Sequence, residues 1–335
     1  MNKAILLVVV SLLACNSSNP LLQKSDHASG QTMNVRKADD AQIVEILHDA
    51  YLVVYPLVLM EMARRSFGFI QRPGNSSKTF LNRFAHTCIY ENPAAAGVDD
   101  SDNWMFYSSA FTDVSKEPVV LHVPDEMGRY YRLLLVDDWG RVFNTATHSG
   151  SANFLITAPG WRGAVPAGML HISAPTSGVW VVGQTQIYDK TDAVIVRSLV
   201  NRYSLTALGE WERGEQVDRQ TKEFRFTGTA PDKLLLNMKV GEVLQLANRL
   251  MENTPPHWDE VTQKRMSAVQ VGPGKKFDLS EYNSTVQSRL KEVPLKVLKQ
   301  MTLPASDKPT LLQLLHSSVS GKGSVWLSKP ETNVY

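Results

Sequence analysis

PVVLHVPDEMGRYYRLLLVDDWGRVFNTATHSGSANFLITAPGWRGAVPAGMLHISAPTSGVWVVGQTQIYDKTDAVIVRSLVNRYSLTAL, residues 118–208, is the stretch whose reading decides the fold. Val119-Val120-Leu121, Tyr130 to Val136, Phe154-Leu155-Ile156 and Val179 to Val182 are short apolar runs separated by Pro, Gly and Asp clusters. That spacing predicts antiparallel strands from Trp104 through Val182. Turns are expected at Ser115 to Pro118, Pro124 to Gly128, Asp137 to Gly140, Pro159 to Gly163 and Ala174 to Gly178, each with a residue that sets φ or interrupts a ladder.

Outward from this core the pattern turns helical. After Asp189, Asp192 can cap a helix whose Val194, Leu199 and Val200, with Tyr203 beyond, face the sheet. Upstream, Ile43, Leu47, Ala50, Tyr51, Val54 and Val58 follow the 3.6-residue period from Asp39 to Arg65, predicting a helix with one buried face. Pro56 inside it removes a backbone donor and predicts a kink or division near Tyr55. Residues 71–103 read as loop around one short strand, and the cluster Asp99 to Asn103 as a solvated turn. Downstream, 209–231 is a polar connection. Helices are expected over Met238 to Met251, Trp258 to Val269 and Ser280 to Met301, the last interrupted near Pro294. The fold class is therefore α+β, a mostly antiparallel β core flanked by N-terminal and C-terminal helices. The β-rich domain is placed at 37–208 and the mainly helical region at 209–335.

The first residues suggest an address. Met1-Asn2-Lys3 precedes an apolar run, Ala4 to Val10, then Leu12-Leu13-Ala14-Cys15. That is the order of a signal peptide, too short to span a bilayer. Its end resembles a bacterial lipobox, which makes Cys15 the expected lipidation site and mature N-terminus, and 16–36 a flexible tether. Asn16 after the cysteine points to the outer membrane, facing the periplasm. With Cys15 lipidated, Cys88 is the only other cysteine, so no internal disulfide is expected. Cys88 itself reads as a small buried residue. The formal charge of +2, from 35 Lys and Arg against 33 Asp and Glu, gives no global field to attract nucleic acid. The expected partners are the membrane, through the anchor, and a small molecule or an envelope protein.

Several segments carry a specific resemblance. Tyr55 to Met60, Tyr107-Ser108-Ser109, Lys116 to Leu121, Val123-Pro124-Asp125, Gly128 to Tyr131, Asp138-Trp139, Pro159 to Gly163, Pro166-Ala167-Gly168 and Arg202-Tyr203 occur in an order that resembles the bacterial domain-of-unknown-function family 1254, over about residues 40–208. Residues from Leu234 to Met301, especially Pro255-Pro256 and Gly272 to Asp278, resemble the start of the companion family 1214, in a shortened form. The resemblance implies an α+β protein with a β-rich core and no established reaction. Members commonly carry an Asn-x-Asp-Thr run where this chain has Asn103-Trp104-Met105-Phe106, so a polar cluster is partly lost there.

For chemistry, Asp137-Asp138-Trp139 followed by His148 is the leading constellation, since a bend and a return can bring a carboxylate against an imidazole. Adjacent strand residues face opposite sides, which favours Asp138 over Asp137 as the pocket-facing group. In a hydrolase reading Asp138 orients His148 as general base, with Ser108, Ser109 or a metal-bound water as the activated group. The competing reading has Asp138 capping the turn and His148 exposed. Arg129 is a candidate anion holder, and Tyr131 and Trp139 complete the candidate ligand-binding set. His86, His122 and His171 lack zinc-site spacing, and no Gly-x-Ser-x-Gly elbow, phosphate loop or dinucleotide fingerprint occurs, so neither a metal nor a cofactor is expected. The readings kept open are a ligand- or partner-binding domain, an envelope hydrolase and a degenerate structural member of the family.

Overall fold

The computed structural model describes residues 39–68, 81–89, 105–189, 191–215 and 231–302. The signal peptide, Cys15, the tether, the acidic cluster at Asp99 to Asn103 and Trp104 lie outside them. The described chain is α+β, and its two compact units are not consecutive segments. One comprises residues 55–235 and 249–256, the other residues up to 54 with 236–248 and those from 257 onward. The sequence division at 208 thus differs from the division by packing.

The first unit is a two-layer β-sandwich. Strands β1 (Ala85–Ile89), β2 (Met105–Asp113), β3 (Val119–Val123), β4 (Tyr131–Asp137), β5 (Val142–Ala146), β6 (Ala152–Thr157), β7 (Met169–Ser173), β8 (Gly178–Gln186) and β9 (Ser204–Ala207) form two sheets. Their orders are β1-β2-β8-β4-β5 and β7-β6-β3-β9. Every pairing is antiparallel except β6 with β7. Alternate residues face the interior, so Phe106 and Ala110 of β2, Leu133 and Leu135 of β4, and Val179 and Val181 of β8 join Val119, Leu121, Phe154, Ile156 and Leu205 in one apolar core. Burying these side chains is the main stabilising term, roughly 1.5–3 kcal/mol for each large aliphatic or aromatic group.

The expected turns fall where the structure has them. Gly128, Gly140 and Gly160 all adopt positive φ, which a side chain disfavours. Two local expectations change. Asp192 does not cap α2 (Asp192–Val200) but is its first residue, and Asp189 Oδ1 accepts from the Thr191 and Asp192 N–H groups instead. Val194 is 73% exposed, and α2 buries Ala193, Val196, Leu199 and Val200.

Helix α1 (Asp40–Gly68) runs undivided through Pro56. It does not present a single buried face. Leu57, Val58, Leu59, Met60 and Met62 are all buried, so its middle is enclosed on every side, and the regular spacing read from the sequence marks only part of the apolar surface. It is long and apolar enough to cross a membrane, yet more than half of its apolar window is buried within the protein. The sandwich unit also holds α3 (Leu208–Glu212) and most of α4 (Pro231–Leu236).

The second unit draws on α5 (Val240–Asn253), α6 (Glu260–Ala268), α7 (Ser284–Leu290) and α8 (Val293–Thr302). Asn248 organises its central turn: its amide donates to the carbonyls of Gln270 and Lys275 and accepts from the Gly272 N–H, each at 2.9 Å. This satisfies backbone groups that a buried turn leaves open. Pro294 lies in the first turn of α8, where a proline is tolerated.

Candidate functional site

At one end of the five-stranded sheet, on the face away from the sandwich core, lies an open cleft with about 50 Å³ of free space. Four elements build it within the sandwich unit. Helix α1 supplies Leu57, Met60, Glu61 and Arg64, β2 supplies Phe111 and Thr112, and the end of β4 supplies Asp137 and Asp138. The start of β8 adds Gly178, Val179 and Trp180, and Leu250 and Thr254 close it. Trp180 and Phe111 are register partners and stack with ring centroids 5.3 Å apart, while the indole N–H donates to Ser109 Oγ at 2.8 Å. The back wall is therefore a fixed aromatic pair.

The two adjacent aspartates have separate roles. Asp137 is 1% exposed and its carboxylate is fully used by the turn it ends. Oδ1 accepts from the Trp139 and Arg141 N–H groups and Oδ2 from the Arg141 guanidinium, each at 2.9 Å. Asp138 instead reaches across to β8. Its Oδ2 accepts from the Gly178 N–H at 3.0 Å and from Thr254 Oγ1 at 3.3 Å, and its own N–H donates to Thr176 Oγ1. Burial pushes the Asp138 carboxyl above the ordinary aspartate value, outweighing the Gly178, Thr176 and Thr254 hydrogen bonds that lower it, and the neighbouring Asp137 charge adds to the rise. The turn is capped by Asp137, not by Asp138.

Helix α1 closes the cleft with an ion-pair cluster. Glu61 accepts from Arg64 Nε at 2.7 Å, from Arg64 Nη2 at 2.9 Å and from Arg65 Nε at 2.7 Å. Burial alone would raise the Glu61 carboxyl, but the two arginines hold it below the usual glutamate value. Their i, i+3 and i, i+4 spacing was visible in the sequence. What linked it to Asp138 was not, because the elements are far apart along the chain.

The proposed catalytic set is not assembled. Tyr131, at the start of β4, donates its hydroxyl to the His148 carbonyl at 3.0 Å and accepts from the His148 N–H at 2.8 Å. His148 is thereby held at the Tyr131 end of β4, and Asp138 follows the other end. Seven residue steps at about 3.3 Å each put on the order of 20 Å between them. The His148 ring is exposed, and His148 does not line the cleft. Ser108 is fully buried on the core-facing side of the sheet, and its Oγ lies 2.8 Å from Nδ1 of His86, its cross-strand partner. Burial, then the charge of Arg197, push that imidazole down to about 3.

The ligand-binding candidates are also dispersed. Arg129 is buried in a bidentate pair with Asp192 at 2.6 and 2.9 Å, donates to the Gln186 carbonyl and lies 4.5 Å from the Tyr188 ring centroid. That is a structural ion pair, with no guanidinium edge presented to an anion. Tyr131 is occupied with His148. Trp139 is half-buried, donates its backbone N–H to Asp137 and stands beside the cleft without lining it. His122 pairs with Asn153 at 2.8 Å and His171 with Thr157 at 3.0 Å. Among the described residues no group of three His, Cys, Asp or Glu is placed to hold a metal ion.

Residues 81–207 match the family described as protein of unknown function DUF1254. The match covers the strands that carry Asp137, Asp138 and Gly178, and it ends before the segment that resembles family 1214. The fold is also similar to the crystal structure of the VPA0106 protein from Vibrio parahaemolyticus. That likeness has a TM-score of 0.54 at 17% identity, over 84% of this chain and 68% of that one. At such identity it shows the fold alone. No curated protein matches the chain.

Proposed function

We propose that the protein is a bacterial envelope lipoprotein whose β-rich unit binds a ligand or an envelope partner through the Asp138 cleft, with no reaction assigned. One observation carries the binding reading. The Asp138 carboxyl is buried enough to stand above the ordinary aspartate value, yet it lines an open cleft with apolar and aromatic walls. An apolar pocket with one desolvated polar group on its wall is the usual form of a small-ligand site, the polar group fixing the ligand's orientation. The hydrolase reading loses its support, since a triad needs its members within hydrogen-bond reach. The DUF1254 match is in keeping with a protein that has no assigned reaction.

The address rests on residues 1–16. A signal peptide ending at Ala14, acyl chains including palmitate on Cys15, and outer-membrane sorting by Asn16 would hold the protein on the periplasmic side. Cys15→Ser should abolish metabolic labelling with a fatty acid, and unchanged labelling would sink the anchor. For the cleft, a crystal structure of the protein isolated from its own cell envelope should show ligand density against the Asp138 carboxyl. A ligand bound elsewhere, with this cleft open to solvent, would count against the reading.

A further inference from the structure

We propose that the turn between β3 and β4 is a pH-operated latch, closed while Glu126 is a neutral acid on Tyr203 and released when Glu126 ionises.

The turn runs from Pro124 to Arg129. Asp125, Met127 and Gly128 are exposed, whereas the Glu126 side chain points inward and is 2% exposed. Its carboxyl meets a hydroxyl: Tyr203 donates to Oε1 at 2.5 Å, and the same hydroxyl lies 3.1 Å from Thr185 Oγ1 on β8. Oε2 is buried and has no hydrogen-bond partner among the described residues. Arg129, three residues on in the same turn, commits both terminal nitrogens to Asp192. A carboxylate enclosed with one oxygen unsatisfied and no paired cation is costly, which favours the neutral acid while the turn is closed.

The charges around Glu126 do not reverse this. Burial raises its carboxyl above the ordinary 4.5, outweighing the Tyr203 hydrogen bond and the charges of Arg129 and Arg202 that lower it, and the Asp125 charge adds to the rise. Burial also keeps the hydroxyls of Tyr203 and of Tyr131, on β4, above the ordinary tyrosine value, so both stay neutral. The His86 ring, 6.2 Å from that of Tyr203, responds only as pH falls, in the other direction.

The backbone of the turn favours release. Met127 holds a φ of 57°, a left-handed value that a methionine adopts at a cost, and Gly128 follows at 76°. Opening relaxes that bend, while the Arg129–Asp192 pair beyond it stays as the fixed end. An exposed glutamate ionises near 4.5 and the buried one higher. Between those values the closed turn holds a proton that the open turn has lost, so each pH unit upward shifts the balance towards opening by up to about tenfold. The contribution of Glu126 to closure is complete below 4.5 and is lost as pH rises through its raised value.

Hydrogen exchange of the Arg129 amide in the full-length protein reads the latch, because that N–H donates to the Glu126 carbonyl at 3.0 Å and is freed on opening. Its protection, corrected for the intrinsic rate at each pH, should fall in wild type by up to about tenfold per pH unit above 4.5. In Glu126→Gln, uncharged and of the same shape, it should not change with pH. The Ala174 amide, which donates to the Thr157 carbonyl at 2.9 Å by the other end of β3, is the control and should show no such fall. Protection at Arg129 that is independent of pH in wild type, or that falls equally in Glu126→Gln, overturns the latch. A parallel fall at Ala174 also overturns it, since the whole fold and not the turn would then be responding. Should Glu126→Gln not fold, the uncharged Glu126→Met takes its place, and the wild-type contrast between Arg129 and Ala174 decides without either variant.

Discussion

The carboxylate of Asp138 packs directly over the Cα of Gly178 and accepts its N–H at 3.0 Å, so a Cβ at position 178 would collide with Asp138 Oδ1. This single contact sets the floor of the cleft. It requires glycine there for space, not for an unusual φ.

Gly178→Ala should therefore displace Asp138 and destabilise the protein by about 1–3 kcal/mol, the range for an overpacked site. Asp138→Ala on the Gly178→Ala background should cost less than on wild type, because there it also removes the collision. Chemical denaturation of the two single variants and the double variant measures this, with a coupling of about 0.5–3 kcal/mol expected for residues in contact. Strict additivity would show that the two do not touch.

The buried imidazole of His86 predicts acid sensitivity. Its folded value is depressed from 6.5 to about 3 by burial and by Arg197, so the neutral form belongs to the folded state. Its contribution to stability is complete above pH 6.5 and is lost as pH falls toward 3. His86→Gln should flatten the decline of unfolding free energy between those limits, by at most about 1.4 kcal/mol per pH unit. Asp138 has the opposite sign. Its raised value stabilises the fold below the ordinary 3.8 and that contribution is lost as pH rises through the raised value, so Asp138→Asn should gain on wild type over that rise. Parallel stability–pH curves for wild type and variants would contradict both assignments.

Arg129 and Asp192 form a buried pair with side-chain exposures of 9% and 10%. Removing either charge strands the other, and Arg129→Met or Asp192→Leu should cost about 3–5 kcal/mol in urea unfolding. The double variant should recover much of that loss. If Arg129→Met were neutral in stability, the structural role given to Arg129 would be wrong.

Much of the sandwich was legible because its signals are local. Asp137 to Gly140 and Pro159-Gly160 turn the chain through residues that are neighbours in sequence, and the alternation in Leu133 and Leu135 marks one sheet face. The parallel pairing of β6 with β7 and the edge strand β9 have no such local mark. The site was half legible. Asp138 stood out, but its partners Gly178 and Thr254 lie 40 and 116 residues away and are brought to it by sheet order and by a helix end. His148 misled because sequence proximity suggested spatial proximity, whereas β5 returns along β4 and carries His148 back to Tyr131. Ser108 likewise finds His86 because β1 pairs with β2.

The most direct test of the account compares thermal unfolding of wild type, Asp138→Asn and His148→Ala with and without the dialysable fraction of a cell-envelope extract. A ligand that binds only the folded state raises Tm. Wild type and His148→Ala should be stabilised alike, and Asp138→Asn should not. Equal stabilisation of Asp138→Asn, or loss of the effect in His148→Ala, would contradict the assignment of function to the Asp138 cleft.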